Sequence, residues 1–98
     1  MIDIKSEQLE LLLTILKENL SDNSEVYAFG SRTNGTARKY SDLDLVINIQ
    51  RPLEIKEKIT LKEAFSESDL NFRVDISDWF AISDPFKESI KNKLKRII

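Results

Sequence analysis

From Asp42 to Ile49 the chain reads D-L-D-L-V-I-N-I. Leu43, Leu45, Ile47 and Ile49 take one phase of a two-residue period; Asp42, Asp44, Val46 and Asn48 take the other. Neighbouring strand residues point to opposite faces, so this segment is a strand with one strongly apolar face. Such a face needs cover, and the flanking segments supply helices. In Ser6 to Leu20, leucines 9, 12, 13, 16 and 20 recur at three- and four-residue spacing, with Ser6 expected as N-cap. Leu53 to Ser68 reads as a second long helix, in which Ile55–Ile59 and Leu61–Phe65 are four apart.

Two further strands are expected, Glu25 to Phe29 and Phe72 to Trp79. Ser31 to Lys39 reads as a short helix, weakened by Gly35. Ser83-Asp84-Pro85 opens a last helix with the stripe Phe86, Ile90, Leu94 and Ile97 and a basic C-terminal end. Trp79, Phe80 and Phe86 are expected in the core. The order is α-β-α-β-α-β-α, an α/β (α+β) chain whose 98 residues form one domain, 1–98.

Composition narrows the chemistry. With no cysteine there are no thiolate nucleophiles and no Cys-type zinc sites. With no histidine there is no Ser-His-Asp triad and no imidazole base. Catalysis is left to carboxylates, hydroxyls, Lys, Arg or a metal held by oxygen. The net charge of -2 lacks the basic excess usual in nucleic-acid binders. No signal peptide and no apolar run of about 18 residues is visible, so a soluble, cytoplasmic protein is expected.

Residues two apart on a strand share a face, so Asp42 and Asp44 project side by side. Carboxylates that close repel unless a proton or a cation intervenes. Magnesium takes oxygen ligands, typically one or two carboxylates plus substrate phosphates. Asp75 occupies the polar phase of R-V-D-I-S and joins the pair if its strand is the neighbour. Three acids on adjoining strands suit two metal ions about 4 Å apart in phosphoryl-type transfer. Arg73 shares that phase, as a surface ion-pair partner or as part of the site. Asp78 reads as a turn-forming residue before Trp79. Gly30 lets backbone approach a ligand, Ser31 opens the next segment with a hydroxyl, and Arg32 adds a guanidinium for phosphate oxygens. Phosphate donors beside metal-binding acids describe a nucleoside triphosphate site.

Gly30-Ser31, ten residues, then Asp42-Leu43-Asp44 resembles the signature of the DNA polymerase beta-like nucleotidyltransferase superfamily. The wider run G-S-R-x-x-G…S-D-x-D-L, with the later V-D-I-S-D, resembles its minimal prokaryotic members over most of the chain. The resemblance implies a mixed three-stranded sheet covered by helices. It implies Mg²⁺-dependent transfer of a nucleoside monophosphate, AMP from ATP, to a hydroxyl. By position, Asp42, Asp44 and Asp75 correspond to the metal-binding and catalytic carboxylates, and Gly30 and Ser31 to the nucleotide-binding turn. Arg32 is assigned to the nucleotide with Arg38 or Lys39 as substitutes. Minimal members are often antitoxins that transfer AMP to a tyrosine of a small helical HEPN-type toxin. Two alternatives stand beside that reading: a non-catalytic antitoxin that neutralises its partner by binding, and transfer to a small molecule.

Overall fold

The computed structural model describes residues 2–30, 32 and 42–98. Among them run α1 (Ser6–Asn19), β1 (Glu25–Phe29), β2 (Leu43–Asn48), α2 (Ile55–Ser66), β3 (Val74–Asp78), α3 (Asp84–Ile90) and β4 (Lys95–Arg96). Apart from Arg32, the expected helix over 31–39 lies outside the described residues, and so do Ser31, Arg38 and Lys39.

The strands form one mixed sheet in the order β3-β2-β1-β4. β1 and β2 are antiparallel, Phe29 opposite Asp44; β2 and β3 are parallel, Asp44 beside Asp75. A parallel pair needs a crossover, and α2 provides it. On one sheet face, Leu12 and Leu16 of α1 and Leu61 and Phe65 of α2 pack with Val26, Ala28, Leu43, Leu45 and Ile47. The apolar phase of the sequence is thus the buried phase. Asp78, in that phase at the end of β3, is buried and hydrogen-bonded: Oδ2 accepts from Leu53 N (2.9 Å) and Oδ1 from Phe80 N (3.1 Å). It fixes the lead-in to α2 as well as the turn after β3.

α3 lies against part of the opposite face. Phe86 meets Phe29 edge-on at 5.8 Å between ring centroids, and Lys87 Nζ lies 4.9 Å above the Trp79 ring. Val46, in the polar phase of β2, is buried, as is Ile90 of α3. Ser83 caps α3, accepting from Phe86 N at 3.3 Å, and Pro85 stands in its first turn.

Four expectations are corrected. The last helix stops at Ile90, with Lys91 as C-cap, and the chain turns back to add a fourth strand to β1. Ile97 N donates to Val26 O (2.7 Å) and Val26 N to Ile98 O (3.2 Å), so β1's outer edge is paired, which a continued helix would have left open. On α2, Leu61 and Phe65 are buried but Ile55 is 76% exposed and Ile59 51%. Ile55 and Leu61 lie about 240° apart around a helix, so only one pair can face the core. Ser6 lies inside the first turn of α1, and Lys5 holds the cap position without a side-chain bond. Phe80 and Phe86 are exposed rather than core, while Trp79 is half-buried. No helix among the described residues is long and apolar enough to cross a membrane.

Candidate active site

The acids gather at the start of the two parallel strands. Leu43 N donates to Arg73 O at 2.8 Å, locking β2 to β3 immediately ahead of Asp44 and Asp75. Paired residues on neighbouring strands project to the same side. Phe29, Asp44 and Asp75 therefore form one row across three strands, on the face away from α1 and α2. Asp42 precedes the row by two residues on that side and is exposed; Asp44 is half-buried; Asp75 is exposed. The adjacency of the second and third strands, left conditional by sequence, is present.

The electrostatics follow from this placement. Burial, then the charges of Asp75 and of Asp42, push the Asp44 carboxyl above its ordinary value. A negative charge is costly there unless a cation offsets it. Among the described residues, no three Asp, Glu, His or Cys side chains gather closely enough to hold a metal ion. The donor set is nonetheless all carboxylate oxygen, the preference of magnesium. The mutual repulsion at Asp44 is what a bridging dication would relieve, so the residues fit such an ion.

Gly30 ends β1 with φ of +86°, in the left-handed region, against the Asp44 side chain. A Cβ built on it would collide with Asp44 Oδ2 and sit 3.3 Å from Cγ. Only glycine lets the turn approach the acid this closely. The phosphate-binding turn expected from sequence therefore leaves β1 in contact with the acid row.

Arg32 is 7% exposed. Its Nη1 donates to Asp3 O at 2.8 Å, its carbonyl accepts from Asp3 N at 2.6 Å, and its guanidinium lies 4.5 Å from the centre of the Phe72 ring. It ties the segment ahead of α1 and the approach to β3 onto the turn. Neither Asp3 nor Phe72 was singled out by sequence for this, since nothing in the spacing of positions 3, 32 and 72 signals contact. On the far side of the row, Asp75 borders a cleft of about 710 Å³ between α2 and the start of β3, with Arg73, Lys62 and Phe72 also lining it.

A small mixed sheet with acids at the heads of two adjacent strands, and a glycine turn pressed against one of them, is a nucleotidyl-transfer fold. The family model described as "Nucleotidyltransferase domain" matches residues 9–98, and the chain belongs to that family. It is 52% identical over 90 residues to "Probable protein adenylyltransferase MntA" of Haemophilus influenzae, covering 92% of this chain and 78% of that protein. A solved toxin–antitoxin structure with AMP-PNP matches with a TM-score of 0.77 at 22% identity, over 92% of this chain and 72% of that one. The complex of tri-AMPylated Shewanella oneidensis HEPN toxin with MNT antitoxin matches with a TM-score of 0.69 at 19% identity, over 97% and 72%. These structural likenesses show the shared fold.

Proposed function

We propose that this protein is a cytoplasmic, Mg²⁺-dependent protein adenylyltransferase that acts as an antitoxin by moving AMP from ATP to a hydroxyl, a tyrosine of a HEPN-type toxin. The observation that carries the reading is the alignment of Asp44 with Asp75, with Gly30 pressed on Asp44, in a chain 52% identical to the Haemophilus protein. The solved complexes of the same fold supply the partner class.

Asp42 and Asp44 would hold the magnesium, with Asp75 completing the set. An ion held there would supply positive charge against the triphosphate oxygens. The turn that begins at Gly30, with Ser31 next in sequence, is assigned to the phosphates. The acceptor oxygen forms a bond to the α-phosphorus as the bond to pyrophosphate breaks. Pyrophosphate leaves with its electron pair, and Asp75 takes the hydroxyl proton. Asp75 suits that task because it is exposed and borders the cleft, where an acceptor can reach it. Arg32 serves as an anchor of the turn.

The test is label transfer. Protein, Mg²⁺ and α-labelled ATP are mixed with the partner toxin, beside Asp42→Ala/Asp44→Ala. Label is expected on a toxin tyrosine, with the double variant slower by at least about a hundredfold. Label on a small molecule, and none on protein, would overturn the antitoxin role while keeping the chemistry. Neutralisation of the toxin by the double variant without any transfer would establish the binding-module alternative.

A further inference from the structure

We propose that Phe86, braced by Phe29, is the platform on which the base of the bound nucleotide stacks. This rests on the nucleotidyl-transfer reading above. Three directions leave the acid row. Across the strands toward β1 lies the Gly30 turn, where the phosphates and departing pyrophosphate belong. Toward β3 lies Asp75 and the open cleft, the side from which an acceptor hydroxyl enters. In-line displacement keeps entering and leaving oxygens on that one axis. The nucleoside, attached to the same phosphorus, must depart sideways from it. On this face of the sheet α3 brings Phe86 against Phe29, at the β1 end of the row.

Phe86 stands there. Its edge-on partner Phe29 is the cross-strand neighbour of Asp44, so the two side chains begin about 4.5–5.5 Å apart on one face. A single exposed phenylalanine needs no explanation. This one differs, because it is 37% exposed in the first turn of a capped helix and its ring is held at 74° to that of Phe29. The Phe86 ring packs on Phe29, the cross-strand neighbour of Asp44, and stays partly open to solvent. Stacking on an aromatic tolerates every base, because each has a π-face. The expected preference is therefore for purines over pyrimidines by stacking area, without hydrogen-bond readout at this position.

The experiment compares ATP with inorganic tripolyphosphate, each with Mg²⁺, by calorimetry on wild type, Phe86→Ala and Phe86→Trp. Tripolyphosphate has the phosphates but no base. Phe86→Ala is expected to weaken ATP about tenfold and tripolyphosphate by less than about twofold, with Phe86→Trp at or above wild-type ATP affinity. Equal weakening of both ligands by Phe86→Ala, or unchanged ATP binding in that variant, would overturn the platform. Wild type binding tripolyphosphate and ATP equally would also overturn it while leaving the phosphate site intact. Binding of neither ligand by wild type would overturn the nucleotide reading and the platform with it.

Discussion

At the scale of single residues, the most informative group is Asp44. Its carboxyl is raised above the ordinary 3.8 by burial and by Asp75 and Asp42, so the folded state holds that proton more tightly than the unfolded chain does. The contribution favours folding below about 3.8 and is lost as pH rises through the higher folded value, leaving an ionised group that opposes folding at neutral pH. Asp44→Asn is therefore expected to melt a few degrees above wild type at pH 7 without metal. The gap should close as pH falls below that range. Added Mg²⁺ should raise the wild type and leave the variant unmoved; thermal scans across pH, with EDTA and then with Mg²⁺, check all three. The shared face of Asp42 and Asp44 was readable from their phase, and that of Asp75 once its strand is placed beside theirs. The packing of Arg32 on Phe72 was not, because nothing in the sequence pairs a guanidinium with a phenylalanine ring forty residues away.

At the scale of elements, β1 has the bounds its sequence implies, and β2 and β3 trim by one or two residues at each end. Strands with one apolar phase carry their own register, so little else was needed. Helices were harder. α2 has two apolar pairs but packs on the core along one side, and periodicity does not say which pair wins. Its start is set by polar chemistry instead: Glu57 Oε1 accepts from Glu54 N at 2.8 Å while Arg51 pairs with both Glu57 oxygens at 2.8 and 2.9 Å. The Arg51 hydrogen bonds, then the Glu54 backbone, hold Glu57 at about 2 against an ordinary 4.5. A depressed acid stabilises above its unfolded value and loses that contribution as pH falls toward the folded one. Glu57→Gln should cost about 0.5–1 kcal/mol at pH 7, discounted for exposure, and the difference from wild type should vanish between about 4.5 and about 2. Urea midpoints at pH 7, 4 and 2.5 read this directly.

At the scale of the whole molecule, the sequence misses the closing strand. Phe86, Ile90, Leu94 and Ile97 fit a helical stripe, but β1's open edge competes for the last residues, and backbone pairing wins. An edge with free N–H and C=O groups is a long-range demand that no local window contains. Ile97 sits on the core as well as on that edge. Ile97→Asp should destabilise the protein by about 2 kcal/mol, lowering the urea midpoint with m unchanged. Hydrogen exchange should accelerate at Val26 before it does at Leu45, because only β1 loses a neighbour.

The row Phe29–Asp44–Asp75 has a consequence for populations of molecules. Leu43 and Leu45 of the core alternate with Asp44 of the candidate site along β2, and Asp42 stands immediately ahead of it. A slip of one residue would swap their faces, driving two carboxylates into the interior and leucines into water. Assembly of the site and assembly of the fold are therefore one event, and an error in the first cannot survive inside a success of the second. Inactive protein in a preparation should be unfolded or chemically damaged, and a stably folded fraction with scrambled chemistry should not accumulate.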